Sequence, residues 1–403
     1  MRILMLAPEP IYTPRGTPIA VLNRCRALTA LGQEVDLVTY PVGQDVAVPG
    51  LRFLRTPKPP GLRNVKIGPS LAKLPLDALL LVVAARQLRR SRYDVIHTVE
   101  EAGVAGWLLR AIFRLPYVHD VHSDLGTVLQ DYGFGRRHPV VLLARWLDRR
   151  VLASAKVIIV NFPGLVPVVT AQAPRTPVHV LRSLSLGYQA DPALSDKLRS
   201  SWGQDRPVIL YTGSFEPYQG LPLLLEAMAV VRDSLPQALL VLVGGRPEQV
   251  MEMTQQAERL GIAGAVICAG QCPVDEIPSY LAAADVLVSP RRDGINTPCK
   301  RYDYLRAGKP IVATRTASHL DVLDDQCAVL TNPTRQAFAA ALLAVLRDPA
   351  LADRLSMAAT ERARDFGAGP FLRETAAAYR ELGVPTPSEE TLQALVASIG
   401  EVT

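Results

Sequence analysis

The stretch from Ser289 to Thr314, SPRRDGINTPCKRYDYLRAGKPIVAT, carries the most informative pattern in this chain. It opens at the end of an apolar run, and Pro298 predicts the start of a helix because proline is favoured at the first helical position. Gly308 predicts the end of that helix, and the apolar run from Pro310 to Thr314 predicts the next strand. Strand, loop, helix and strand in this order are typical of a parallel α/β sheet.

The same alternation of strand and helix patterns extends over most of the chain. Short, nearly continuous apolar runs are expected of buried parallel strands. They predict strands at Arg2–Ala7, Val35–Tyr40, Asp94–His97, Pro116–His119, Val157–Val160, Val178–Leu181, Val208–Thr212, Leu239–Val243, Val266–Ala269 and Asp285–Ser289. Helix patterns at 334–347, 350–364, 370–382 and from Ser388 close the chain.

The strand series is interrupted at residues 182–206, whose polar composition predicts a linker. We therefore predict two Rossmann-like, doubly wound α/β domains that face each other across a cleft. The N-terminal domain is predicted at residues 1–190 and the C-terminal domain at 191–370, with the helices of 371–403 returning to the N-terminal domain. A single large sheet is the alternative.

Composition excludes several classes of protein. The chain has 403 residues, enough for two or three domains, and 49% of them are hydrophobic and 20% charged, which excludes disorder along the whole length. Its five cysteines are scattered without a neighbouring histidine set, which favours reduced thiols over disulfides or a metal site. The first apolar run ends at Pro8, so we predict no signal peptide. No apolar run reaches the roughly 20 residues of a membrane span, and we expect a cytoplasmic protein, free or held at the inner face of the membrane.

Charge is distributed unevenly along the chain. Residues 1–205 carry a net charge of +11 and residues 206–403 a net charge of −5. Basic and apolar residues are interspersed at Lys58–Lys73 and along the helix pattern of 136–150, which suits an anionic membrane surface. The alternative is that this helix buries its apolar side in the core. We predict no nucleic-acid partner.

The helix of the opening stretch carries a candidate anion site. Lys300 and Asp303 lie three residues apart and share one helix face near its first turn. Free N–H groups at the helix start and an amine suit a phosphate, and a carboxylate one turn on suits the hydroxyl pair of a ribose. The loop Gly213–Gly220 and the pair Gly244-Gly245 follow two predicted strands and let a ligand approach the backbone closely. The alternative readings are a surface ion pair and ordinary turns.

The two α/β domains, the linker and the stretch Ser289–Thr314 together resemble the retaining glycosyltransferases of family 4, which have the GT-B fold. The similarity covers nearly the whole chain. In that family the second Glu of an E-x7-E motif stands five residues before the glycine of a Gly-[K/L/R]-P-[IV]-[VI]-A-[TS] run, and here Asp303 occupies that position. The first Glu falls at Ile295, with Asp293 the nearest acid. The NTPxK pattern of Asn296 to Lys300 is similar to a subgroup of the family.

The loop Gly213–Gly220 departs from the family pattern at two positions. The family usually has an Arg after the first glycine and a Lys before the next, and both bind the donor diphosphate. Here these positions are Ser214 and Gln219, so Lys300, Arg292 or Arg15 are the candidate replacements.

The segment Pro116–Ser123 resembles the family segment that ends in a histidine lining the reacting sugar. The resemblance therefore implies His122 and Asp120 as catalytic residues, with His119 on the same wall. The predicted donor-binding residues are Gly16, Gly213, Ser214, Gln219, Gly245, Arg292, Asn296, Thr297, Lys300 and Asp303. The predicted acceptor-binding residues are Arg15, His97 and Glu101, with Glu100 beside the last.

The function implied is transfer of a sugar, with retention, from a nucleotide-diphosphate sugar to a hydroxyl group. The expected acceptor is lipid-linked or a polysaccharide, in cell-envelope polysaccharide or glycolipid synthesis. We expect no cofactor and no metal, because the sequence lacks an Asp-x-Asp motif. The alternatives are a sugar-nucleotide epimerase or phosphorylase of the same fold, and a non-catalytic nucleotide-sugar binder, which Ser214, Gln219 and the missing first Glu favour.

Overall fold

The computed structural model describes residues 1–11, 16–62, 65, 73–123, 125–131, 133–182, 184, 188–292 and 300–402. The chain divides into two compact units, which we call unit 1 (Met1–Leu184 with Ala368–Val402) and unit 2 (Ser185–Gly367). Within the described ranges, no helix is long and apolar enough to cross a membrane. The cysteines at 25, 268, 272 and 327 are free thiols.

Unit 1 is built on a parallel sheet of seven described strands in the order β3-β2-β1-β4-β5-β6-β7. The strands are β1 (Arg2–Ala7), β2 (Glu34–Thr39), β3 (Leu51–Arg55), β4 (Val95–Val99), β5 (Tyr117–Val121), β6 (Val157–Val160) and β7 (Val178–Val180). The helices are α1 (Gly16–Ala30), α2 (Leu74–Arg90), α3 (Gly103–Phe113), α4 (Leu125–Asp131), α5 (Pro139–Ser154) and α6 (Val166–Gln172). Parallel neighbours need a crossover connection, since a tight turn cannot join them, and helices provide most of these connections here, although residues 40–50 join β2 to β3 without one.

Unit 2 has a second parallel sheet, whose six described strands follow the order β10-β9-β8-β11-β12-β13. The strands are β8 (Val208–Gly213), β9 (Leu239–Gly244), β10 (Val266–Gly270), β11 (Val286–Ser289), β12 (Ile311–Thr314) and β13 (Val329–Thr331). The helices are α7 (Pro192–Trp202), α8 (Leu221–Ser234), α9 (Pro247–Arg259), α10 (Ile277–Ala282), α11 (Lys300–Arg306), α12 (Ala317–Leu320), α13 (Arg335–Arg347) and α14 (Pro349–Ala363).

The last two helices, α15 (Ala368–Arg380) and α16 (Glu389–Val402), belong to unit 1. Phe371, Leu372 and Tyr379 of α15 pack with apolar residues of α1, β1 and β4 on one face of the sheet. The opposite face is covered by a separate apolar cluster that includes residues of α2, α3, α5 and α6. The sheet of unit 1 is therefore buried on both faces, which explains why its central strands are continuous apolar runs.

The predicted fold class, two parallel-sheet α/β domains, is confirmed. Two strands are absent from the sequence prediction: β3 is half-exposed at the sheet edge and lacks an apolar run, and β13 is only three residues long. The segment 182–206, predicted as a linker, contains the boundary between the two units and also a helix, α7, that was not predicted. The side chain of Asp191 caps α7 by accepting from the amide of Ala193 at 2.9 Å, and Pro192 begins it. A capping aspartate followed by proline is a sequence signal for the start of a helix, and this signal marked the start of α7.

Candidate functional site

In unit 1, polar side chains collect at the carboxyl ends of β4 and β5, which are neighbouring strands. His97 lies two residues from Val95 and Val99 on β4, and Asp120 lies two residues from Val118 on β5. These valines pack on the face covered by α1 and α15, so His97 and Asp120 point to that face as well. His119 points to the opposite face, where its Nδ1 lies 3.0 Å from the hydroxyl of Thr98. The expectation that His119 shares a wall with Asp120 is therefore wrong.

Asp120 is the centre of this cluster. Its Oδ2 accepts hydrogen bonds from Nε and Nη2 of Arg24 at 3.2 and 3.0 Å, and both side chains are 3% exposed. Nε2 of His122 lies 3.2 Å from Oδ1, an ion-pair distance without the angle of a hydrogen bond. Nε2 of His97 lies 3.7 Å from Oδ2.

The cluster has a definite charge pattern. Burial alone would raise the pKa of Asp120, but Arg24 and His122 hold that pKa well below its usual range. Burial alone would lower the pKa of His122, but the Asp120 carboxylate outweighs it and raises that pKa. For His97 burial prevails and lowers the pKa. At neutral pH the aspartate is therefore charged and the buried His97 is neutral.

Arg24 is a residue that the sequence analysis did not select. It lies on α1 among the buried residues Val21, Cys25 and Leu28, and its guanidinium stacks 5.3 Å from the ring centroid of Phe371. An arginine on the apolar face of a predicted helix was the available signal, since arginine is rarely buried without a partner. Among the described residues, Nη1 of Arg24 and Nδ2 of its neighbour Asn23 have no hydrogen-bond partner in the protein. Both can donate to an oxygen-rich ligand.

Glu100 and Glu101 follow β4 but lie in different environments. Glu100 has a left-handed backbone with φ of 50°, a conformation that costs a non-glycine residue about 1–3 kcal/mol. Its Oε2 accepts from the hydroxyl of Ser123 at 3.0 Å, and burial raises the pKa of its carboxyl to about 8. Glu101 is partly exposed and lies 3.5 Å from the amine of Lys73. The strained residue at the strand end is thus Glu100, whereas the acceptor prediction rests on Glu101.

In unit 2, Lys300 begins α11 and reaches back to the loop after β8. Its Nζ donates to Oε1 of Gln219 at 3.3 Å and lies 3.8 Å from the ring centroid of Tyr211. Nε2 of Gln219 in turn donates to the hydroxyl of Ser214 at 3.5 Å, and the phenol of Tyr211 donates to the carbonyl of Ser214 at 2.7 Å. One network of contacts therefore joins three residues that were predicted separately from the sequence, Lys300, Ser214 and Gln219.

Two buried arginines add to the positive charge around Lys300. Arg291 is 2% exposed and its guanidinium lies 5.0 Å from the ring centroid of Tyr218, and Arg301 is fully buried. Burial, with repulsion from Arg291 and Arg301, holds the pKa of Lys300 well below its usual range. A bound anion would relieve this repulsion. Arg292, the arginine predicted here from the sequence, is exposed, and its amide donates to the carbonyl of Tyr218 at 3.2 Å.

The remaining predicted site residues are placed as follows. Gly213 ends β8, and Gly245 follows β9 with φ of 76°, where an added Cβ would come 2.5 Å from the ring of Phe215. Asp303 lies in the first described turn of α11, and Gly16 begins α1. His97 is completely buried, so its contact with an acceptor stays a prediction. Arg15, Asn296 and Thr297 lie outside the described residues.

Comparison with known proteins gives matches along most of the chain. A family model described as a glycosyl transferase 4-like domain matches residues 15–184, and a model described as glycosyl transferases group 1 matches residues 195–362. D-inositol 3-phosphate glycosyltransferase of Corynebacterium efficiens is 25% identical over 94% of this chain and 95% of its own length. GDP-mannose-dependent alpha-(1-6)-phosphatidylinositol monomannoside mannosyltransferase of Mycolicibacterium smegmatis is 29% identical over 44% of this chain and 49% of its own.

A solved structure, sucrose-phosphate synthase from Thermosynechococcus elongatus, has the same fold. It superposes with a TM-score of 0.79 at 22% identity and covers 95% of this chain and 99% of its own. The fold and the two domain matches define a glycosyltransferase. The chain belongs to the glycosyltransferases of family 4, with the GT-B fold, and the resemblance found in the sequence is confirmed.

Proposed function

We propose that this glycosyltransferase moves a sugar, with retention of anomeric configuration, from a nucleotide-diphosphate sugar to a hydroxyl group. The observation that carries the proposal is the set of three basic side chains at Lys300, Arg291 and Arg301 in unit 2, where a bound diphosphate would favour the charged form of Lys300. Preorganised cations stabilise the charge that develops on a leaving diphosphate. In this role Lys300 compensates for the absence of a cation at Ser214 and Gln219. The GDP-mannose dependence of the mycobacterial relative supports a donor of this class.

The donor proposal is tested by comparing ligands that differ in their phosphates. Lys300→Ala should weaken binding of a nucleoside diphosphate much more than binding of the corresponding nucleoside, measured by calorimetry. Lys197→Ala is the matched control, because Lys197 is an exposed lysine of unit 2 on α7. Equal losses for both ligands would remove Lys300 from the phosphate site. A thermal-shift screen of UDP-, GDP-, ADP- and TDP-sugars identifies the base, since a bound ligand raises the melting temperature.

Retention and turnover need a separate measurement. The anomeric configuration of the product, read by proton NMR, should match that of the donor sugar, and an inverted product would contradict the retaining mechanism. Donor binding without turnover on any acceptor would favour the non-catalytic binder instead. The epimerase alternative predicts interconversion of the sugar nucleotide with no acceptor present.

The acceptor proposal is a lipid-linked or polysaccharide precursor of the cell envelope, used at the inner face of an anionic membrane. Its support is a surface on α3 and α5 of unit 1 that we call the α3–α5 face. The exposed apolar side chains of this face are Leu108, Ile112, Val140, Leu142, Leu143 and Trp146. The exposed basic side chains nearby are Arg110, Arg114, Arg149 and Arg150.

The core does not account for this face, because α5 buries a different apolar set, Val141, Ala144, Val151 and Leu152. Each basic side chain near an anionic surface contributes about 1 kcal/mol of attraction, and the apolar side chains suit the interfacial zone. The phosphatidylinositol monomannoside in the name of the mycobacterial relative supports a lipid acceptor.

Sedimentation with phosphatidylglycerol-containing vesicles tests the membrane proposal. The protein should bind at low salt and bind less at high salt, because salt screens surface charge. Leu143→Gln, at a position 56% exposed, should weaken binding, whereas Met357→Gln, at a position of unit 2 that is 68% exposed, is the matched control. If the protein does not bind the vesicles at low salt, the membrane proposal is refuted and a soluble acceptor is expected instead.

A further inference from the structure

Tyr379 of α15 is joined to the candidate catalytic cluster by one short hydrogen bond. Its phenol oxygen lies 2.6 Å from Nδ1 of His97, and both side chains are almost fully buried, with exposures of 1% and 0%. Nε2 of the same histidine faces Oδ2 of Asp120 at 3.7 Å. His97 therefore lies between α15 and the aspartate that contacts His122.

The protons in this chain of contacts can be assigned. Burial raises the pKa of Tyr379 far above its usual range, so the phenol keeps its proton and needs an acceptor. Among the described residues, the acceptor that the phenol contacts is Nδ1 of His97. Burial keeps His97 neutral, with a single ring proton. If Nδ1 accepts from the phenol, that single proton is on Nε2 and faces Asp120.

We propose that Tyr379 is a positioning residue for the Asp120–His122 pair, acting through the tautomer of His97. The inference rests on the proposed function, in which Asp120 and His122 have the catalytic role that the family resemblance implies. With the proton on Nε2, both His97 and Arg24 present N–H groups toward Oδ2 of Asp120, and Oδ1 is left for His122. The other tautomer would place the Nε2 lone pair against the carboxylate and repel it.

The groups that act electrostatically on His97 are few. They are Asp120, Arg24 and His122, while His119 on the other sheet face is in turn influenced by His97. On the side of Tyr379, the charged and titratable groups are Arg24, Asp120 and Cys25. Because Tyr379→Phe changes the formal charge of none of these groups, its effect on the Asp120–His122 pair reports the tautomer of His97.

The first experiment is nitrogen-15 NMR of the histidine rings in the intact chain. Wild-type His97 should give the pattern of a neutral ring protonated at Nε2, and Tyr379→Phe should shift it toward the ring protonated at Nδ1. A wild-type ring protonated at Nδ1 would overturn the inference by itself, even if Tyr379→Phe failed to fold. Thr375→Val is the matched control, because it removes a buried hydroxyl of the same helix whose hydrogen bond within the described part of the chain is to the carbonyl of Phe371 at 2.8 Å.

The second experiment is steady-state kinetics. Tyr379→Phe should lower kcat about tenfold, a loss typical of small misplacement of a reacting group, with the donor KM nearly unchanged. It should also move the pH profile of kcat to higher pH, because Asp120 with one donor fewer attracts the His122 proton more strongly. Thr375→Val should leave both unchanged. An unchanged kcat and pH profile in Tyr379→Phe would overturn the inference.

A double-mutant cycle separates this inference from the proposed function. His97→Gln keeps an N–H near the position of Nε2 but has no tautomers, so Tyr379→Phe should cause no further loss in that background. Equal losses in both backgrounds would show that Tyr379 does not act through His97. Full turnover in His122→Ala would refute the proposed role of the pair itself, whereas loss in His122→Ala with full turnover in Tyr379→Phe would refute only the positioning role.

Discussion

Replacing Asp120 with asparagine should destabilise unit 1 strongly, because the buried charge of Arg24 then loses its partner. Both side chains are 3% exposed, and two hydrogen bonds join them at 3.0 and 3.2 Å. Removing one partner of such a pair costs about 3–5 kcal/mol. At about 2–4 °C per kcal/mol for a unit of this size, the melting temperature of unit 1 should fall by roughly 6–20 °C.

Thermal and urea unfolding followed by tryptophan fluorescence measures this loss. The signal of unit 1 comes from Trp107 and Trp146, and that of unit 2 from Trp202, so the two transitions are to be fitted separately. Asp45→Asn is the matched control in unit 1, because Asp45 pairs with Arg55 at an exposed position and should cost about 0–1 kcal/mol. A loss in Asp120→Asn no larger than that of the control would refute the account of this pair.

The pH dependence provides an independent check on the same residue. The folded pKa of Asp120 is lowered, so its contribution to the free energy of unfolding is fully present above the unfolded pKa of about 3.9. That contribution is lost as the pH falls through the lower, folded pKa. The difference in stability between wild type and Asp120→Asn should therefore shrink in strong acid, while near neutral pH it also reflects the pKa of His122, which the Asp120 carboxylate raises. A difference that persists unchanged into strong acid would contradict the assignment.

Three further outcomes are expected. Glu100 has a raised folded pKa of about 8, so the free energy of unfolding of the wild type should fall as the pH rises from about 4 to 8. Glu100→Gln should remove that fall in urea unfolding. Equal pH dependence in both proteins would contradict the raised pKa of this carboxyl. His122→Ala should lower turnover with little change in nucleotide affinity, and loss of nucleotide binding would instead indicate a structural role. Activity should survive a chelator, and activity abolished by EDTA and restored by magnesium or manganese would contradict the expected metal independence.

The parallel strands were the most predictable part of this fold. A central strand such as β1 is buried on both faces, so its sequence is nearly all apolar and its bounds match the prediction at Arg2–Ala7. The edge strand β3 has one exposed and four partly buried residues and lacks that signal. The segment of α7 is polar because this helix is largely exposed, and only its cap at Asp191 and Pro192 distinguished it from a linker.

The candidate site was predictable only where its residues are close in sequence. His122 lies two residues from Asp120, so the strand end and the family segment indicated both. Arg24 and Tyr379, by contrast, come to the same aspartate and histidine from α1 and α15, nearly a hundred residues before Asp120 and more than two hundred and fifty after it. Only the fold of unit 1 brings these helices to one face of the sheet, so local spacing could not have identified them.

The basic side chains of unit 2 explain the two departures from the family pattern in the loop after β8. Ser214 and Gln219 lack the charges expected in the loop after β8, and on sequence grounds they motivated the alternative of a non-catalytic nucleotide-sugar binder. In the structure Gln219 is a hydrogen-bond partner of Lys300, and its amide oxygen accepts from the amine 81 residues further along the chain. A lysine at position 219 would instead bring a second ammonium group against the first. An uncharged residue at position 219 therefore fits a lysine at the start of α11. Gln219→Lys should lower the melting temperature of unit 2 in thermal unfolding. An unchanged or raised melting temperature would refute this account.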